Sequence, residues 1–171
     1  MSEKRAIALV GLMGAGKTTV AGLLASRLGG KAVDLDQVLE AEAGCSVAEM
    51  FRREGEAAFR RREAERLARV IGNGATVIAC GGGALIEAAS RERLKGSCRV
   101  VWLEVTPQEA LRRVGGTPGV RPLLPQDSVQ LESLLRGREA AYRDVAEIRV
   151  VTDGRTPDQV AQAVIDALET L

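Results

Sequence analysis

Histidine does not occur in the 171 residues, so no Ser/His or Cys/His nucleophilic pair can form. Any general base acting near neutral pH must then be a carboxylate, a perturbed lysine or a thiolate. The same absence removes the usual nitrogen ligand of a zinc site, and the three cysteines, Cys45, Cys80 and Cys98, include no C-x-x-C pair. They read as reduced thiols in packing roles. Aromatic residues are scarce: Phe51, Phe59, Trp102 and Tyr142 are the whole set, too few to stack nucleic-acid bases along a groove. Charge of one sign is also lacking, since 24 Lys and Arg nearly cancel 23 Asp and Glu. No net field draws the chain to a polyanion or an acidic membrane, and any bound anion must be held by a local site. No apolar run reaches membrane-spanning length, and the IALVG that follows MSEKR is too short for the hydrophobic region of a secretory signal. The expectation is a soluble protein of the cytoplasm.

What is present is aliphatic and rhythmic. Apolar residues make up 46% of the chain, enough for one domain spanning 1–171 that buries roughly 70% of its unfolded surface. Five short β-type runs, AIALV, KAVDL, TVIAC, RVVWLEV and EIRVV, alternate with helical stretches. Each run is apolar on both alternating faces, as a parallel sheet covered by helices on both sides demands. Ser46…Glu49 and Thr106-Pro107…Glu109 fit capping boxes, and Thr156-Pro157 repeats the cap-then-proline device. One segment breaks the rhythm: Gly115 to Gln126 carries six Gly and Pro residues, which excludes a long helix or an inner strand.

Directly after the first strand run stands Gly11-Leu12-Met13-Gly14-Ala15-Gly16-Lys17-Thr18, followed at once by an amphipathic helix. This is the G-x-x-x-x-G-K-[ST] pattern in its strand-loop-helix setting. The glycines let successive N–H groups point at phosphate oxygens, the helix N-terminus adds positive potential, Lys17 reaches the β and γ phosphates, and Thr18 offers a hydroxyl to Mg²⁺. The motif signals a nucleotide without naming the reaction. No N-K-x-D tetrad marks a guanine-specific switch; instead the second run ends Asp34-Leu35-Asp36 and the third ends Cys80-Gly81-Gly82-Gly83. Residues two apart at a strand end share a face, so Asp34 and Asp36 are expected to point together into the crevice above the sheet. Asp34 suits metal-bound water and Asp36 an acceptor hydroxyl, although Asp36 also fits a plain cap of the next helix.

Both phenylalanines fall within FRREGEAAFRRRE, Phe51 to Glu63, on either side of a break at Gly55 that assigns them to different short helices. Taken in order, the loop, Asp34-x-Asp36, Phe51…Phe59-Arg60-x-x-Glu63, Gly81-Gly82-Gly83, Arg121-Pro122-Leu123-Leu124 and Arg138-x-x-x-Tyr142 resemble the shikimate kinase family over almost the whole chain. The resemblance implies a five-stranded parallel sheet between helices, of the nucleoside-monophosphate-kinase-like P-loop class, with a substrate-binding region at about 34–63 and a mobile lid at about 115–126. It implies transfer of the γ-phosphoryl group of ATP to the 3-hydroxyl of shikimate, with Mg²⁺, in aromatic amino-acid biosynthesis. By position, Lys17, Asp36 and Arg121 would carry catalysis. Gly14, Ala15, Gly16, Lys17, Thr18 and Thr19, with Arg113, Arg121 and Arg155, would hold ATP. Thr18 and Asp34 would hold the metal, and Asp36, Phe51, Phe59, Arg60, Glu63, Gly81, Gly82, Gly83 and Arg138 would hold the acceptor.

Shikimate has one carboxylate, three hydroxyls and a small ring. Arg60 and Arg138 suit a forked grip on the carboxylate, with Glu63 bracing Arg60 from three residues along the same helix surface. Phe51 and Phe59 suit flat walls. Residue spacing alone equally allows an exposed Arg60–Glu63 pair and phenylalanines buried as ordinary core. Arg121, in a Gly/Pro-rich hinge, is expected to swing over the phosphates and exclude water. Two further readings stand beside this one: a related kinase acting on gluconate or a nucleoside monophosphate, and a nucleotide-dependent binding protein. The expected partners are shikimate and ATP, with no nucleic acid and no membrane, and the expected state is a monomer.

Overall fold

The computed structural model describes residues 5–115 and 128–170. The five apolar runs become β1 (Ala6–Val10), β2 (Ala32–Asp34), β3 (Val77–Ala79), β4 (Cys98–Glu104) and β5 (Ile148–Val151), joined in one all-parallel sheet of order β2-β3-β1-β4-β5. The helices are α1 (Lys17–Leu28), α2 (Leu35–Ala43), α3 (Val47–Glu54), α4 (Glu56–Gly72), α5 (Ala88–Ser97), α6 (Pro107–Gly115), α7 (Ser128–Val145) and α8 (Pro157–Glu169).

The inner strands β3, β1 and β4 are buried almost throughout because both faces of the sheet are covered there; the edge strands depart from the expected two-sided burial, β5 alternating with Arg149 and Val151 exposed and β2 only partly buried, because helices cover the edges less fully. Ile7 and Leu9 of β1 join Val20 and Leu24 of α1 and Val160 and Val164 of α8 on one side. Ala8 and Val10 join Leu67 of α4, Leu94 of α5 and Tyr142 of α7 on the other. Leu24 and Leu94 are fully buried; truncating either to alanine costs about 2–5 kcal/mol. Trp102 of β4 is sheet packing, as expected, stacked 5.6 Å from Tyr142. A third, smaller cluster lies outside the sheet, where Leu39 of α2, Met50 of α3 and Phe59 of α4 meet.

Helix ends follow the sequence signals with one informative difference. Thr156 and Gln159 form the full reciprocal box of α8, with proline in its first turn. Ser46 and Thr106 accept from the backbone N–H of Glu49 and Glu109, but both glutamate carboxylates turn instead to arginines on their own helices, Arg52 and Arg53 in one case, Arg112 and Arg113 in the other. An i,i+3 or i,i+4 arginine outcompetes the backbone N–H because the interaction carries charge on both sides.

β1 lies between β3 and β4, and the chain visits β2 and β3 on one side of it before crossing to β4 on the other. Strand order reverses beside β1, which opens a crevice at the carboxyl edge of the sheet. No helix among the described residues is long and apolar enough to cross a membrane.

Candidate active site

The loop from Gly11 to Gly16 opens into this crevice. Gly14 has φ +77°, and a Cβ there would stand 2.7 Å from the Ala110 carbonyl oxygen, so both conformation and space exclude a side chain. Lys17 Nζ donates to the Gly11 and Leu12 carbonyls at 2.9 Å, which folds its ammonium over the loop. Thr18 Oγ1 donates to Asp34 Oδ2 at 2.5 Å, while Asp34 Oδ1 accepts from Gln37 N–H at 3.1 Å. Asp34 therefore caps α2, a role the sequence suggested for Asp36. The chain turns helical at Leu35, so Asp36 stands in the first turn of α2, not on an extended strand end. The face-sharing argument thus fails for Asp36, yet both acids line the same cleft of about 760 Å³ as Gly14, Lys17, Thr18 and Gly82.

Thr18 and Asp34 offer an oxygen-only pair beside the loop, which fits a small hard cation. Among the described residues no three Cys, Asp or Glu side chains converge on a metal-sized point, so such an ion must take most of its ligands from phosphate and water.

The far wall of the cleft is a glycine triplet because side chains from three helices crowd onto its backbone. A Cβ on Gly81 would lie 2.6 Å from Glu63 Oε1 and 2.7 Å from Asp36 Oδ1, and one on Gly83 would overlap the Arg60 guanidinium. Arg138 Nη1 donates to the Gly82 carbonyl at 2.7 Å, and the Tyr142 hydroxyl donates to the same oxygen at 3.3 Å. Asp36, Arg60, Glu63 and Arg138 all meet at this turn, although they come from α2, α4 and α7.

Arg60 and Glu63 are no surface pair: they are 7% and 3% exposed, with Arg60 Nη1 donating to Glu63 Oε2 at 2.7 Å. The Arg60 guanidinium sits 5.2 Å from both the Phe51 and the Phe59 ring centres, within cation–π range. The two rings touch each other at 4.5 Å. Phe59 is core, at 1% exposure, because its position on α4 faces α2 and α3; half-buried Phe51 is the ring nearer solvent. Burial raises the Glu63 carboxyl above its ordinary value, outweighing the opposing pull of Arg60, and the nearby Asp36 charge adds to the rise. Arg60 Nε and Glu63 Oε1 are buried and find no hydrogen-bond partner among the described residues.

Arg113 and Arg155 both line the cleft near the N-terminus of α8. Arg113 is heavily engaged: Nε donates to Glu109 at 2.8 Å, Nη1 to Gly14 O at 3.2 Å and Thr152 Oγ1 at 3.1 Å, and Nη2 to Thr152 O at 2.8 Å. It ties α6, the phosphate loop and the end of β5 together. Hydrogen bonds from Arg112 and Arg113 hold the Glu109 carboxyl down at about 2. Arg121 and nearly all of the proposed lid lie outside the described residues.

The comparisons with known proteins agree on the family. A family model described as "Shikimate kinase" matches residues 13–169. The chain belongs to the shikimate kinase family. A shikimate kinase of Symbiobacterium thermophilum is 43% identical over 167 residues, with 95% of each chain covered, and one of Streptomyces coelicolor is 44% identical over 164 residues at the same coverage. A shikimate kinase from Acinetobacter baumannii, solved in complex with shikimate, superposes with a TM-score of 0.92 at 36% identity, covering 98% of this chain and 94% of that one.

Some participants in this shikimate kinase cleft escaped the sequence reading. Glu109 and Arg112 line it, and buried Thr152 anchors Arg113. Glu109 was legible only as a capping partner; the Arg112-Arg113 pair three and four residues on was the available signal for its second role. Nothing local marks Thr152. The cysteines are free, Cys80 and Cys98 being buried, and burial pushes the Cys98 thiol up to about 11 and raises Cys80 as well, which suits inert packing.

Proposed function

We propose that this protein is an ATP-dependent kinase that phosphorylates the 3-hydroxyl of shikimate, giving shikimate 3-phosphate and ADP in aromatic amino-acid biosynthesis. Beyond family membership, one observation carries the reading. A buried guanidinium, Arg60, packs beside two touching aromatic rings and against Glu63, at the same glycine turn that receives Asp36 and Arg138, beside the phosphate loop. An acid-bearing ring with hydroxyls needs that combination. An acyclic gluconate has no use for aromatic faces, and a nucleoside monophosphate calls for more cationic contacts.

In this reading the N–H groups of Gly14 to Thr19 and the Lys17 ammonium hold the phosphates of ATP, and Arg113 and Arg155 meet its adenine end. Thr18 and Asp34 would hold Mg²⁺. The ion, when bound, neutralises charge on the β and γ phosphates. Arg60 and Arg138 grip the acceptor carboxylate, and Phe51 and the Gly81–Gly83 backbone shape the space around its ring. Asp36 accepts the hydrogen of the 3-hydroxyl and aims its oxygen at the γ phosphorus. A bond forms between that oxygen and phosphorus as the bond to the β–γ bridging oxygen breaks, the proton passing to Asp36 and then to solvent. A loose transition state asks mainly for positioning and charge, which these residues supply. Arg121 adds a guanidinium over the phosphates. Residues 1–171 act as one domain and as a monomer in the cytoplasm, with the substrate-binding region at about 34–63 and the lid at about 115–126.

The test is ADP release by the purified protein with Mg-ATP, offered shikimate, gluconate or AMP in turn. Turnover with shikimate alone is expected; turnover with gluconate or AMP in its place overturns the proposal.

A further inference from the structure

The acceptor carboxylate needs an accessible edge of Arg60, and most of that guanidinium is already occupied. The Phe51 and Phe59 rings lie 5.2 Å from its centre, and Glu63 holds Nη1 at 2.7 Å. Nε is unpartnered but buried, which leaves Nη2, and a second carboxylate stands there: Glu56 Oε1, at 3.5 Å. The two glutamates differ sharply in setting. The Glu63 side chain is 4% exposed and locked against the glycine turn, whereas that of Glu56 is 62% exposed on the first residue of α4, able to swing into water. Glu56 also lines a cleft of about 540 Å³ together with Arg138, the other half of the proposed carboxylate grip.

Resting on the function proposed above, we infer that Glu56 is an internal stand-in for the acceptor carboxylate. It holds the outer edge of Arg60 until the acceptor displaces it, and so sets how tightly a carboxylate-bearing acceptor binds. The charge pattern supports this role. Asp36, Glu63 and Glu56 share the glycine turn and the clefts beside it with Arg60, Arg138 and Lys17, and an arriving carboxylate adds a fourth negative group to three positive ones. Turning Glu56 outward relieves that excess, and its free energy is subtracted from acceptor binding. An acid at this position has a separate use, because α4 has no side-chain cap and a negative first-turn residue favours the helix N-terminus. The two uses can be separated by reach.

Shikimate binding by calorimetry and steady-state kinetics on the wild type, Glu56→Gln and Glu56→Asp make the test. Glu56→Gln removes the charge; Glu56→Asp keeps it on the first turn but retracts it by one methylene. Both variants are expected to bind shikimate about two- to fivefold more tightly, the range of a partly exposed ion pair, with KM for shikimate lowered in parallel and KM for ATP and kcat unchanged. Tighter binding cannot arise from a damaged fold. Unchanged or weakened shikimate binding in both variants, with an active wild type, overturns this inference alone. A wild type that neither binds nor phosphorylates shikimate overturns the function on which it rests.

Discussion

On the proposed phosphate side of the cleft, the groups offered to a ligand belong largely to the backbone of the loop after β1. On the proposed acceptor side they are side chains, Asp36, Arg60 and Arg138, pressed onto the Gly81–Gly83 turn. Backbone N–H groups recognise any polyphosphate, need no buried charge and leave a short contiguous signature in the sequence. The acceptor side instead buries a guanidinium and a carboxylate at 7% and 3% exposure, which is costly unless each finds its partner. Generic binding is cheap to build and easy to read; selectivity needs charges held under cover, gathered from distant parts of the chain.

The contrast breaks most visibly at Arg60. Arg60→Ala leaves Glu63 buried and unpaired, and a stability loss of about 3–5 kcal/mol is expected by denaturant unfolding. The double change Arg60→Met with Glu63→Leu should recover much of that stability while shikimate binding stays lost, separating the structural from the recognition role of the pair. Next in size are two glycine substitutions that should divide the substrates. Gly81→Ala pushes against Glu63 and Asp36 and should lower kcat/KM for shikimate by about 10²-fold, the effect of an ångström-scale misplacement, with ATP binding intact. Gly14→Ala, blocked by the Ala110 carbonyl, should weaken ATP and leave shikimate binding in place. If either change impaired both substrates equally, the division between the two sides would not hold.

A smaller effect concerns pH. The Glu63 carboxyl is raised in the folded protein above its ordinary value of 4.5, so the folded state keeps a proton that the unfolded chain has already released. Glu63's contribution is therefore fully present below 4.5, declines as pH rises through the interval up to the folded value, and levels off above it. Denaturation midpoints across this interval should fall in the wild type and stay flatter in Glu63→Gln; parallel profiles would mean that burial does not dominate this carboxyl. The smallest expected effect is at Glu109, a half-buried brace. Glu109→Gln should raise KM for ATP about two- to fivefold by loosening Arg113, with KM for shikimate unchanged.

This difference in material also explains what the sequence disclosed. The inner strands were legible because burial on both faces leaves a continuous apolar run, and the phosphate loop because its geometry is local to eight residues. The break between α3 and α4 at Gly55 was legible for the same reason. Asp36 was correctly brought to the cleft by a wrong route, since β2 gives way to α2 one residue earlier than an extended end requires. The burial of the Arg60–Glu63 pair was not decidable from its spacing, which fits a wet helix surface equally well; α2, α3 and the glycine turn had to close over it. The Glu109–Arg113–Thr152 brace joins residues 39 or more apart at one end and depends on β5 lying beside β4, a tertiary fact with no local signal.

The central claim is that Arg60, held by Glu63 beside the Phe51–Phe59 pair, receives the acceptor's carboxylate. A crystal structure of this protein with shikimate bound tests it most directly. The account predicts the carboxylate within hydrogen-bond distance of Arg60 and Arg138, with the 3-hydroxyl on Asp36. Shikimate seated elsewhere, or with its carboxylate turned away from both arginines, would contradict it.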